Sequence, residues 1–124
     1  MVSIDSIEAR AREMLRSKEL DKMEVYYLVE TLFTELGEAI GSKQSKEAAK
    51  RGAWNVELLD DAVDSIVDAL GGSYAVLDLW ESAWELRVGN GDAAATLEKL
   101  INVIDLVRRK RIGKGARPRN SRRR

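Results

Sequence analysis

Apolar residues recur every three or four positions along most of this chain, and strict two-residue alternation is absent, which predicts helices rather than strands. Asp5 followed by Glu8 resembles a capping box, so the first helix is predicted to begin there and to run to about Lys18. Its inward positions are Ile4, Ile7, Ala11, Met14 and Leu15.

The second helix has the same start signal and a clear end signal. Asp21 and Glu24 repeat the capping pattern, the helix is predicted to reach Ile40, and Gly41 is placed to end it. Its apolar positions are Val25, Val29, Leu32, Phe33, Leu36 and Ile40. Residues 42–53 are polar and form the predicted connection to the next helix.

Three further helices follow in the second half. Asn55 is the predicted cap of the third helix, which ends at Gly71-Gly72. The fourth helix extends from about Ser73 to Val88, and Asp92 is the predicted cap of the fifth. The pattern therefore predicts an all-α up-and-down bundle of four to five helices over residues 1–111, followed by a flexible, Arg-rich tail over residues 112–124.

The fourth helix is apolar over more than half of its circumference. A helix of this kind lies at the centre of a bundle or forms an oligomer interface. The start of the second helix is similarly broad, and a body this small has little room to bury both. We therefore expect a homodimer, with an interface formed by Tyr27, Leu79, Trp80, Trp84 and Leu86.

The net charge of zero conceals two blocks of opposite sign. Residues 1–107 contain all 21 acidic side chains and 11 of the 21 basic ones, whereas the ten basic side chains of residues 108–124 are accompanied by no acidic one. A dense basic segment beside an acidic domain indicates a polyanionic partner, most often nucleic acid.

Arginine dominates this basic segment, and its planar guanidinium group suits bidentate phosphate contacts. The segment contains no aromatic residue, so base stacking by the tail is not indicated and weak sequence specificity is expected. The alternative is a tail that docks on the acidic body of its own or a neighbouring subunit. The predicted nucleic-acid-binding residues are Arg108, Arg109, Lys110, Arg111, Lys114, Arg117, Arg119, Arg122, Arg123 and Arg124.

The amino-acid composition excludes several kinds of site. The chain has no cysteine and no histidine, which excludes disulfides, thiolate metal sites and histidine general-base catalysis. The N-terminus lacks the pattern of a signal peptide and no apolar run is long enough to span a membrane, so a soluble cytoplasmic protein without membrane association is expected. A charged fraction of 34% suits a thermophile.

Acidic pairs at helical spacing on the second and third helices are the candidate metal site. Such pairs could hold Mg²⁺ against a nucleotide polyphosphate. The pattern over residues 30–70 resembles the MazG-like nucleotide pyrophosphohydrolases, which implies that activity with Mg²⁺ as cofactor. The helical phase instead places the acidic residues opposite the apolar stripes, as on ordinary solvated faces. The candidate ligands are Glu35, Glu38, Glu57, Asp61 and Asp64.

A second resemblance rests on the tryptophan pattern. Trp54, Leu58 and Ala62-Val63, followed by Trp80-Glu-Ser-Ala-Trp-Glu-Leu-Arg-Val88, resemble the PaREP family of small archaeal helical proteins. That family is similar to the HEPN superfamily of nucleic-acid-related helical bundles, which implies a HEPN-like fold. Where the family tends to have Leu-His-Val, this chain has Leu86-Arg87-Val88, so ribonuclease activity by the Arg/His mechanism is not expected. Arg87 is either a surface charge or an anion contact.

These observations predict a non-enzymatic accessory protein that associates with nucleic acid, RNA rather than DNA, as a component of a ribonucleoprotein. Cations of the tail would bind the phosphate backbone, which predicts a steep dependence of affinity on salt. The alternative function is a Mg²⁺-dependent nucleotide pyrophosphohydrolase of the MazG-like kind.

Overall fold

Five α-helices make up the part of the chain that the structure describes. The structure is a computed structural model; it describes residues 3–39 and 56–110, and for residues 56–62 the backbone alone. The helices are α1 (Ile4–Ser17), α2 (Lys22–Ala39), α3 (Val56–Ala69), α4 (Tyr74–Arg87) and α5 (Ala93–Lys110). The described residues contain no strand, and the predicted all-α bundle is confirmed.

Helix α1 begins earlier than its capping pattern predicts. The Ser3 hydroxyl accepts a hydrogen bond of 3.1 Å from the backbone N–H of Ser6, so Ser3 is the N-cap. The predicted cap at Asp5 is therefore wrong. Asp5 lies in the first turn, where its negative charge is still favourable near the helix N-terminus.

The other described helix starts use short acidic or hydroxyl side chains. Asp21, Ser73 and Asp92 each accept a hydrogen bond of 3.0–3.2 Å from a backbone N–H two or three residues later. The predicted caps at Asp21 and Asp92 are confirmed by these bonds. The predicted cap at Asn55 and the predicted stop at Gly41 lie outside the described residues.

Glycines reverse the chain between α3 and α4. Gly71 and Gly72 have φ angles of +78° and +77°, a region that residues with a Cβ rarely adopt. The backbone N–H groups of Gly72 and Leu70 both donate to the carbonyl of Val67, at 2.8 and 3.2 Å, which pairs a carbonyl in the last turn of α3. The predicted end of the third helix at this pair is confirmed.

Four of the helices form a closed ring, and each of them runs antiparallel to the two helices beside it. The contacts run from α1 to α2, from α2 to α4, from α4 to α5 and from α5 back to α1. Two long-range contacts fix the directions. Lys22 at the start of α2 donates to the carbonyl of Gly89 just after α4, and Arg108 at the end of α5 binds Asp5 in α1. Direction therefore alternates around this ring of four helices, and α3 is an addition outside it.

Helix α3 packs against α2 and α4 on the outside of the ring, and α2 contacts every other helix. Phe33 of α2 meets Trp80 of α4 edge to face, with ring centroids 5.4 Å apart. Both rings are buried. The breadth of the apolar surface on α2 and α4 is thus explained by their central positions. No helix in the described ranges is both long and apolar enough to cross a membrane.

Candidate functional site

The last turn of α5 carries the first three residues of the predicted nucleic-acid-binding segment: Arg108, Arg109 and Lys110. All three side chains are exposed. Cations at this position are favoured by the partial negative charge at a helix C-terminus. The other seven predicted residues, which are Arg111, Lys114, Arg117, Arg119, Arg122, Arg123 and Arg124, lie outside the described part of the chain.

Arg108 is bound to the protein's own acidic surface. Its two terminal nitrogens contact the carboxylates of Asp5 and Glu8 at the start of α1. Glu8 also accepts from Arg12 at 2.8 Å. The pKa of Glu8 is held below its usual value by the hydrogen bonds from Arg12 and Arg108. Arg108 thus makes a contact of the kind that the alternative expects of the tail, whose residues beyond Lys110 lie outside the described part of the chain.

Arg109 and Lys110 differ from Arg108. Neither takes part in any of the ion pairs found among the described residues. The Lys110 side chain extends beside Gly71, so this cationic end of the bundle is formed by the end of α5, the start of α1 and the turn between α3 and α4. We call Arg109 and Lys110 the free cations of α5.

The predicted dimer interface is wrong for three of its five residues. Leu79, Trp80 and Leu86 are buried inside the single chain, because α4 packs against α2, α3 and α5 at once. Tyr27 and Trp84 are the two that reach solvent, with 54% and 43% of their surfaces exposed.

Arg87 lies between aromatic rings at the end of α4. Its guanidinium carbon is 5.3 Å from the centroid of Tyr26 and 5.8 Å from that of Trp84, within cation–π range. One of its N–H groups donates to the Tyr26 hydroxyl at 3.2 Å. Of the two predictions for Arg87, a surface charge and an anion contact, the exposure of the side chain is compatible with both.

Glu30 is a feature that the sequence prediction missed. Its side chain is 1% exposed, and neither carboxylate oxygen has a hydrogen-bond partner at hydrogen-bonding geometry. Burial raises the pKa of Glu30, while the nearby Tyr26 hydroxyl and the charge of Arg87 lower it in part. Reciprocally, burial and the proximity of Glu30 raise the pKa of Tyr26 to about 12.

A sequence signal for Glu30 does exist. Tyr26, Glu30, Phe33 and Gly37 follow one another at spacings of four, three and four, which is the spacing of one helix face. The other three residues of that face are buried. A carboxylate in the middle of such a row indicates a buried charge.

The described side chains do not form the predicted Mg²⁺ site. Glu35 is half-buried, and burial and the charge of neighbouring Glu38 raise its pKa. Glu38 and Asp64 are exposed. No group of three potential metal ligands occurs among the described side chains, and those of Glu57 and Asp61 lie outside them.

Comparison of the chain with protein-family models, with curated proteins and with solved structures finds no match.

Proposed function

We propose that this protein binds nucleic acid, RNA in preference to DNA, through the cationic segment that begins in the last turn of α5, and that it acts as a non-enzymatic component of a ribonucleoprotein. The observation that carries the proposal is the pair of free cations of α5, Arg109 and Lys110. They point to solvent at the place where the chain continues into seven further basic residues and no acidic one.

Electrostatics support this assignment. The acidic residues all precede residue 108, so a polyanion is repelled by the bundle and attracted by its C-terminal end. Phosphate contacts from arginine and lysine orient a strand without reading its bases. A partner of this kind is recognised by charge density rather than by sequence.

The non-enzymatic part of the proposal rests on side-chain chemistry. The chain contains no histidine, so the Arg/His mechanism of HEPN ribonucleases has no general base here. The likeness to the PaREP family and to HEPN bundles remains a prediction from the tryptophan pattern. The homodimer also remains a prediction, and of its five proposed interface residues only Tyr27 and Trp84 are accessible to a partner.

Truncation tests the proposal directly. The 1–110 chain keeps α5 and the contacts of Arg108 with α1, so its fold is expected to survive, whereas a cut at residue 107 would remove those contacts. We expect the full chain to bind an RNA oligonucleotide with a slope of log K against log salt of up to about −6, if nine cations each contact a phosphate of a single strand. In the 1–110 chain the C-terminal segment should contribute only about −1.4 to the slope, from the two free cations of α5.

A full-length variant with the seven basic residues beyond Lys110 replaced by glutamine is the matched control. It keeps the length of the tail and removes only its charge. Binding that persists in this variant at unchanged affinity and slope would contradict the proposal. Sedimentation of the same proteins, with and without RNA, measures the oligomeric state.

A further inference from the structure

Four of the five large apolar side chains that reach solvent in the described residues lie at one end of the bundle. They are Met23, Tyr27, Trp84 and Val88, and the fifth, Tyr74, is at the opposite end of α4. The hydrogen bond of 3.1 Å from Lys22 to the Gly89 carbonyl joins the start of α2 to the end of α4 at this place. Exposed apolar residues gathered in this way mark a binding surface more often than singly scattered ones do.

Aromatic and cationic side chains alternate along this surface. The rings of Tyr26 and Tyr27 meet edge to face with centroids 5.8 Å apart, and Arg87 lies within cation–π range of both Tyr26 and Trp84. Lys22 adds a second positive charge at the same end. We call Lys22, Tyr27, Trp84 and Arg87 the Trp84 platform.

Arg87 is held by its neighbours but keeps hydrogen-bond donors that no described contact uses. A guanidinium group has five N–H donors, and the one hydrogen bond described for Arg87 uses a single donor, to Tyr26. Two aromatic rings lie within cation–π range of the group, so part of its conformational freedom is already restricted before it binds an anion.

The neighbouring acidic residues leave the platform accessible to a phosphate. Glu24 is bound by Arg10 of α1. Glu81 and Glu85 are on α4, but at 100° per residue they lie on the opposite side of Trp84 from Arg87. The positive charges therefore face α2, where Tyr27 is exposed.

We propose that the Trp84 platform is a stacking site for an unpaired nucleic-acid strand: the rings of Trp84 and Tyr27 stack on bases, while Arg87 and Lys22 contact the adjacent phosphates. Every base has a π face, so stacking of this kind is tolerant of sequence. In a duplex those faces are covered by neighbouring base pairs. The inference rests on the proposed function and narrows its partner from nucleic acid in general to single strands.

The platform and the free cations of α5 lie at opposite ends of the bundle. Helix α4 alone separates these ends by about 21 Å, from its 14 residues and a rise of 1.5 Å per residue. A strand that uses both must extend along the bundle. Very short oligonucleotides can therefore occupy one contact region but not both.

The test uses the full-length chain and its variants Tyr27→Ala, Trp84→Ala and Trp84→Phe. Fluorescence anisotropy measures binding of a labelled oligouridine of about 16 nucleotides, at the upper end of known site sizes, and of an RNA duplex of equal charge. Tyr74→Ala is the control, because Tyr74 is an aromatic residue at the other end of α4 that is more exposed than Tyr27 or Trp84.

We expect Trp84→Ala and Tyr27→Ala each to weaken single-strand binding roughly tenfold, in the range that stacking contributes per base, and to leave duplex binding and the salt slope unchanged. Trp84→Phe should restore most of the affinity, because a smaller ring still stacks. Arg87→Gln should lower the magnitude of the single-strand salt slope by about 0.7, since one phosphate contact is lost. Tyr74→Ala should bind as the unchanged chain does.

The two proposals fail in different ways. Unchanged single-strand affinity in both Tyr27→Ala and Trp84→Ala overturns the platform, even if removal of the tail abolishes binding. A change in oligomeric state without a change in affinity also overturns it, and assigns the surface to a second copy of the chain. Absence of binding by the full-length chain overturns the proposed function itself. The melting temperature of each variant checks that it is folded, and Tyr27, which is more than half exposed, is the substitution least able to disturb the core.

Discussion

Glu30 is the one buried acidic side chain among the described residues whose carboxylate oxygens lack a hydrogen-bond partner, and burial raises its pKa because it disfavours the charged form. Arg87 relieves part of this cost through space, but it donates its hydrogen bond to Tyr26 instead. Buried groups with shifted pKa values occur at functional sites as well as in structural networks. Here the carboxylate is close enough to Tyr26 and Arg87 for each to affect its pKa, and Arg87 belongs to the Trp84 platform.

Replacement of Glu30 by glutamine should stabilise the protein at neutral pH. The pKa of Glu30 is raised in the folded state above its unfolded value of 4.5, so the folded protein binds more protons and the free energy of unfolding falls as pH rises from 4.5 to the folded pKa. Each unit of that difference amounts to about 1.4 kcal/mol. Urea unfolding of Glu30→Gln should show a smaller decline than the unchanged chain, and the part that remains is attributed to Glu35, whose pKa is also raised. Glu38→Gln, an exposed position on the same helix, is the control.

An equal fall in stability from pH 4.5 upward in Glu30→Gln and in the unchanged chain would contradict this account of Glu30. The same pH series carries an opposite contribution from Glu8. Its pKa is lowered in the folded state, so the stability it contributes is present above 4.5 and is lost as pH falls through the folded pKa.

At the scale of elements, the packing of α2 against α4 holds the bundle together. Phe33 and Trp80 meet edge to face at this contact, and Phe33 is completely buried. Because Phe33 lies on the helix that contacts all the others, its removal leaves a cavity where relaxation is most restricted.

Phe33→Ala should lower the free energy of unfolding by about 3–5 kcal/mol, as is usual for a buried phenylalanine. Tyr74→Ala removes an aromatic ring of similar size that is 67% exposed, and its effect should stay within about 0.5 kcal/mol. Chemical denaturation followed by far-UV circular dichroism measures both. Similar losses in the two variants would show that α2 and α4 do not form the centre of the fold.

Most of this element-level organisation could be predicted from the sequence. Periodicity located the described helices, and Asp21, Asp92 and Gly71-Gly72 marked boundaries because capping chemistry is local. Ser3 was missed because Asp5 and Glu8 offered an equally good local signal. Their true partner is Arg108, which is distant in sequence, and no local pattern specifies that contact.

Which apolar side chains are buried by neighbouring helices was harder to predict than where the helices lie. The apolar breadth of α4 was evident, but the sequence alone could not distinguish the centre of a bundle from a dimer interface. Only the positions of α2, α3 and α5 assign Leu79 and Leu86 to the core and leave Trp84 at the surface. The Trp84 platform was missed for the same reason, because it combines side chains from two helices.

At the scale of the whole molecule, the acidic body and the cationic end meet at a single described point. Arg108 binds Asp5 and Glu8, which closes the ring between α1 and α5 and neutralises one cation of the binding segment. Exposed ion pairs of this kind contribute about 0–1 kcal/mol to stability. A polyanion that binds as proposed would compete with α1 for Arg108.

Removal of this competition should strengthen nucleic-acid binding. In the double variant Asp5→Asn, Glu8→Gln, Arg108 is released, and one more phosphate contact should steepen the salt slope for single-stranded RNA by about 0.7. Affinity at low salt should rise with it. Glu13→Gln, which removes a carboxylate from α1 that pairs with Arg16 instead, is the control for a general loss of negative charge.

Arg12, which also binds Glu8, is released by the same double variant, so a third substitution identifies the cation responsible. Arg108→Gln in the double-variant background should return the slope to that of the unchanged chain if Arg108 makes the new contact. A slope that stays steep assigns the gain to Arg12 and contradicts competition between α1 and the strand for Arg108. An unchanged salt slope in the double variant also contradicts this competition. Arg108 would then be released beside Arg109 and Lys110 without gaining a phosphate contact.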